Sequence, residues 1–134
     1  MKEERIKIRL NRVTLSAIKK IKLLKYNDEE IPLPDSYIIE KSYEVVKPYL
    51  SKLDWQKINE QEKDIIIREL ILEEDSLATT LTLKIDVLNG INEFKNRMVK
   101  ETGGRVFFSY AVKILVLTHL ILLDNNMDIA DYID

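Results

Sequence analysis

The chain has 134 residues, 46% hydrophobic and 33% charged, with a formal net charge of −2, which is the balance of a folded chain of one domain, 1–134, rather than a disordered one. It has no cysteine, which excludes a disulfide framework and a thiolate metal site. The longest apolar run, Ile114 to Leu123, is broken by Thr118 and His119 and is about half the ~20 residues of a membrane span; with no apolar signal region at the N-terminus, a cytoplasmic protein without a membrane partner is expected.

The charge is unevenly placed. Residues 1–26 hold nine Lys/Arg against two acids, while the other 108 hold 12 against 21. A basic segment on an acidic body points to a polyanion contact at one place. Within it, Arg5, Ile6, Lys7, Ile8, Arg9 and Leu10 alternate with the period of two of a half-buried strand. One face is aliphatic and the other purely cationic. From residue 14 the spacing turns helical, with Thr14 as N-cap and Ala17, Ile18, Ile21 and Leu24 on one stripe to residue 25.

"YNDEEIPLP" reads as a loop. Pro34 suits the first turn of a helix running to about Leu50, bent or ended near Pro48. Residues 54–76 read as a third helix, with Trp55, Ile58, Ile65, Ile66 and Leu70 inside and Glu60, Glu62, Asp64, Glu69, Glu73, Glu74 and Asp75 outside. "TTLTLKID", residues 79–86, returns to alternation, with Leu81, Leu83 and Ile85 on one face. Asp86 would cap a helix from Val87 to about Glu101, "TGG" would stop it, and a last helix would run from about Arg105 to Leu123. That helix is apolar on more than one stripe, so it must be enclosed on several sides. The rest, 124–134, reads as a weakly structured acidic tail.

Strand, helix, helix therefore occurs twice, over residues 4–50 and 79–123, with a helical connector at 51–78. Leu10 precedes Ile18 by eight residues, and Leu83 precedes Ile91 by the same eight. The fold class expected is mainly α with a short two-stranded antiparallel β-ribbon. A lone ribbon is unstable, but helices behind it can seal its apolar face.

The two copies, "RIKIRLNRVTLSAIKKIKLL…PDSYIIEKSYEVVKPYL" and "TLTLKIDVLNGINEFKNRMVKETGGRVFFSYAVKILVLTHL", resemble the ribbon-helix-helix superfamily of DNA-binding proteins, the Arc, MetJ and CopG type. Having both in one chain is similar to the tandem members of the TraY type, in which one polypeptide makes a pseudo-dimer. The resemblance implies sequence-specific binding of double-stranded DNA, as a transcriptional regulator (a repressor) or a plasmid conjugation accessory factor. Its ribbon would place Arg5, Lys7, Arg9, Thr80, Thr82 and Lys84 toward base edges in the major groove. Lys84, at the strand's end, fits a phosphate equally well. Arg12, Ser36, Gly104 and Arg105, at or near helix starts, would meet backbone phosphates, Asp35 being an unfavourable neighbour there. The implied unit is a monomer with an intramolecular pseudo-dimer, several units loading side by side on DNA.

Nothing points to catalysis. No HExxH, Ca-loop or Ser/His/Asp pattern stands out, and "TGG" before Arg105 lacks the phosphate-loop spacing. His119, in the most apolar helix, reads as a core residue. No cofactor, metal or enzyme activity is expected. The alternative is a helical protein–protein interaction module whose basic N-terminal arm binds an acidic partner; the alternation over 5–10 separates the two, since such an arm has no need of period two.

Overall fold

The computed structural model describes residues 2–66 and 76–134. Strand β1, Glu3–Asn11, leads into helix α1, Arg12–Tyr26. Helix α2, Asp35–Val46, tightens into a 3-10 turn over Lys47–Lys52. Two short helices follow, α3 at Trp55–Glu60 and α4 at Glu62–Ile65. Strand β2, Ser76–Lys84, passes without a loop into α5, Ile85–Thr102, and α6 spans Phe108–Leu123. The protein is mainly helical with a single two-stranded antiparallel sheet among the described residues.

The inner face of the sheet is closed by helices. Leu10, Leu81 and Leu83 are fully buried, while Ile6 and Ile8 are half-buried against the same core. α6 is the centre of the molecule. Every residue from Ala111 to Ile121 is buried, as α1, α2, α3, α4, α5 and β1 all pack on it. Each fully buried Leu or Ile here stabilises by about 1.5–3 kcal/mol. α2 lies against β2 and α6 against β1, so each strand is backed by a helix from the other half of the chain.

Among the described residues, the buried side-chain polar atoms all have hydrogen-bond partners. Ser42 Oγ lies 2.8 Å from His119 Nδ1 at the α2–α6 contact. Burial, with the Lys25 charge adding to it, pushes the imidazole down to about 4, so it is neutral at pH 7. The ammonium of Lys20 donates to Ile65 O at 3.0 Å, and burial lowers its pKa. One of the nine N-terminal cations thus faces inward. Lys113 Nζ reaches from α6 to Asn59 Oδ1 at 2.7 Å and Glu62 Oε2 at 3.1 Å, so Glu62 does not belong to a purely solvated acidic face.

Several boundaries differ from the expected ones. α1 begins at Arg12 because Asn11, not Thr14, is its cap: Asn11 Oδ1 accepts from both Thr14 N and Thr14 Oγ1 at 2.8 Å. α5 begins at Ile85, which is therefore a helical residue rather than a strand one. Asp86 sits inside its first turn, where it complements the helix dipole instead of capping. Pro48 lies within the 3-10 turn, where the chain has already left α geometry and the clash of a helical proline is avoided.

The expected helix over 54–76 is not continuous: α3 ends at Glu60, α4 at Ile65, and Ile66 is already extended. Leu70, Glu69, Glu73, Glu74 and Asp75 lie outside the described residues. The terminal segment is more ordered than its composition implied. Residues Ile129–Tyr132 form a 3-10 turn, and Ile133 bridges to Leu53. Asp54 N donates to Tyr132 O and Asp134 N to Lys52 O, both at 2.7 Å. Tyr132 is buried, and its hydroxyl donates to Gln61 Oε1 at 2.8 Å.

Candidate nucleic-acid interface

The register of the two strands decides which residues share a face. Arg5 pairs with Thr82, Lys7 with Thr80 and Arg9 with Ala78. Directly paired residues point to the same side. All six are on the side away from the helices, and Arg5, Lys7, Arg9, Ala78, Thr80 and Thr82 are all exposed. Three cations stand in a row on β1, and three small side chains stand opposite them on β2. Arg5 and Lys7 take no ion-pair or hydrogen-bond partner among the described residues. Their charges face solvent.

The two ends of this face differ. At one end Glu3 stands opposite Lys84 in the strand register, an acid facing a cation. Lys84 is half-buried, and its backbone N–H donates to Glu40 Oε2 at 2.7 Å, fixing the end of β2 to α2. Ser36 lies one turn before Glu40 on the same helix face and is half-buried, with Asp35 beside it. At the other end Asn11 and Arg12 are exposed, and a cleft lined by Arg9, Asn11, Phe107, Ser109 and Tyr110 joins the ribbon to the start of α6.

Gly104 and Arg105 stand before that helix rather than in its first turn. Gly103, at φ 69°, closes α5 by donating to Val99 O at 2.8 Å; only a residue free to take the left-handed conformation fits there cheaply. The chain then stays out of helical structure as far as Phe107, whose own backbone is extended. Val106 and Phe108 turn inward onto the core, and Phe107, 60% exposed, turns out. This alternation delays the helix to Phe108. The Arg105 guanidinium rests over the Phe107 ring, 4.9 Å from its centroid, which limits its reach. Behind them Tyr110 packs edge-on against Trp55 at 6.0 Å, and burial, with Glu62 nearby, raises its phenol to about 12.

The structure thus brings Arg5, Lys7, Arg9, Thr80 and Thr82 onto one exposed surface. It sets Lys84 at one end and Arg12 at the other, leaves Ser36 in the first turn of α2, and leaves Gly104 and Arg105 in the segment before α6. Three members of the surface escaped the sequence reading. Ala78 was missed because β2 begins at Ser76, three residues before its clean alternation. Asn11 was hidden by the choice of Thr14 as cap. Phe107 was placed inside a helix, though the pattern of Val106 and Phe108 inward with Phe107 outward carried the signal.

No group of three or more His, Cys, Asp or Glu that could hold a metal exists among the described residues. None of the described helices is long and apolar enough to cross a membrane. Comparison with protein-family models, with curated proteins and with solved structures finds no match for this chain.

Proposed function

We propose that this protein binds double-stranded DNA sequence-specifically, laying the β1–β2 ribbon in the major groove, and acts as a transcriptional repressor or a plasmid DNA-processing factor. The observation that carries the reading is the exposed row Arg5, Lys7, Arg9 opposed by Ala78, Thr80 and Thr82 on a sheet sealed from behind. Two strands about 4.8 Å apart fit a groove about 12 Å wide. Arg and Lys suit guanine O6 and N7, Thr offers a hydroxyl or a methyl contact, and Ala meets the thymine methyl. Exposed cations are poor stabilisers, so the concentration of three on one flat face is better accounted for by an anionic ligand.

The unit is a tandem ribbon-helix-helix in which one chain supplies both halves. Residue n of the first half corresponds to n + 73 of the second, and this one shift superposes Leu10 on Leu83 and Ile18 on Ile91, all buried. It also superposes Ala17 on Gly90, two small residues, and Lys7 on Thr80, which are paired across the sheet. Equivalent residues face each other only where a twofold axis runs between them. The exchange of backing helices, α2 on β2 and α6 on β1, fits the same axis. The complete unit is accordingly a monomer, and several can load side by side.

The test is selection from random duplexes, followed by a salt titration of the enriched site. Enrichment with log affinity falling by roughly 0.9 per log salt for each neutralised phosphate supports the reading. No enrichment at low salt overturns it in favour of an acidic protein partner for the same cations.

A further inference from the structure

Resting on that DNA reading, we infer that the protein recognises a directional, non-palindromic site and binds it in one orientation. The twofold relation is largely kept on the ribbon's inner face and fails throughout its outer one. Toward the core, the shift of 73 pairs Ile8 with Leu81 and Leu10 with Leu83, aliphatic with aliphatic, and departs at Ile6 with Thr79. On the outer face it pairs Arg5 with Ala78, Lys7 with Thr80, Arg9 with Thr82 and Asn11 with Lys84. All four pairs are chemically unlike.

The consequence follows from base-edge chemistry. A palindromic duplex offers the same groups again after a half-turn about its dyad. This ribbon, turned about the axis between Lys7 and Thr80, presents a methyl where it had presented a guanidinium, and a guanidinium where it had presented a hydroxyl. Guanine O6 and N7 suit Arg5 and Arg9, whereas Ala78 and Thr82 suit a thymine methyl. In a palindrome one of the two halves is always mismatched. A good bidentate arginine–guanine pair discriminates by roughly 5- to 150-fold, so the preference for a directional site is at least several-fold.

Charge along the ribbon has the same polarity. The end carrying Arg9 and Asn11 continues into exposed Arg12, while the other end carries exposed Glu3 and Glu4, Glu3 being paired with Lys84. With Lys2 and Lys84 beside Glu3 and Glu4 that end sums to zero, whereas the end with Arg9 and Arg12 is cationic and is the one phosphates attract. The ribbon's polarity therefore fixes which way round the molecule sits.

Two measurements test this on the duplex enriched by selection. The first compares it with two palindromes, each built by duplicating one of its halves. The directional duplex is expected to bind roughly tenfold or more tighter than either. The second uses the absence of cysteine: Lys2→Cys, at an exposed residue beside the end where Glu3 faces Lys84, carries an iron chelate that cleaves nearby DNA. Cleavage at one flank only is expected. A palindrome that binds as tightly, or equal cleavage at both flanks, overturns the inference while leaving the DNA reading intact. A selection that enriches no duplex overturns both.

Discussion

Acidification from pH 7 to pH 5 should weaken the fold through one group. His119 is the sole histidine of the chain, lies at the buried α2–α6 contact against Ser42, and has its pKa lowered from 6.5 to about 4 by burial and by Lys25. The folded state therefore disfavours the proton that the unfolded state accepts. Stability is full above pH 6.5 and is lost as the pH falls toward 4, because the unfolded chain binds more protons throughout that window. A shift of about 2.5 pKa units corresponds to roughly 3 kcal/mol in all, of which about 2 kcal/mol is lost by pH 5. For a chain of this length that lowers the melting temperature by roughly 6–10 °C. The assay is urea unfolding at pH 7, 6 and 5 for the parent and for His119→Asn, whose amide still reaches the Ser42 hydroxyl. The parent should lose midpoint steadily and the variant should hold it. Equal pH slopes in the two proteins would refute the assignment of a neutral buried His119.

Gly90→Ala reverses an ordinary expectation. Alanine in mid-helix normally gains about 1 kcal/mol over glycine, but a Cβ at Gly90 lies 2.6 Å from Tyr43 Cε1 and closer still to the phenolic carbon and oxygen. The variant should instead lose about 1–2 kcal/mol by overpacking, and chemical denaturation should show the sign revert to a gain when Tyr43→Ala is added. Lys7→Cys with Thr80→Cys joins residues paired across the sheet, at a separation that suits a disulfide. Oxidation of the dilute protein should cross-link within single chains, and gels showing only dimers would refute intramolecular pairing. Leu81→Lys, at a 1% exposed position, should abolish cooperative thermal unfolding by burying a charge, whereas Thr80→Lys next to it should leave the transition nearly unchanged.

The ribbon was legible because alternation is a short-range signal: Arg5 to Leu10 and Thr80 to Lys84 each carry their face assignment locally, and the sheet confirms those faces. The last helix was legible for a related reason, since apolar residues all round dictate enclosure on all sides. Where tertiary contacts decide, the reading ran out. Trp55, Ile58, Ile65 and Ile66 fit one helical stripe, yet the chain breaks at Gln61, whose side chain accepts the hydroxyl of Tyr132 from the far terminus. Nothing local marks that break. The same partner explains the tail, whose acidic composition hid Tyr132 and Ile133 docking on Leu53 and Asp54. In the candidate site, the missing pieces were those set by register. Ala78 joins the outer face only because β2 extends back to Ser76 opposite Asn11.

Replacing Arg5, Lys7 and Arg9 together by alanine tests the central claim most directly, with duplex affinity and thermal stability measured side by side on the same preparation. The three side chains are exposed on the face away from the core, so the melting transition should remain cooperative and near that of the parent. Affinity for the enriched duplex should fall by about a hundredfold or more, with a shallower dependence on salt. A triple variant that binds duplex DNA as tightly as the parent would contradict the assignment of this ribbon as the DNA-reading surface.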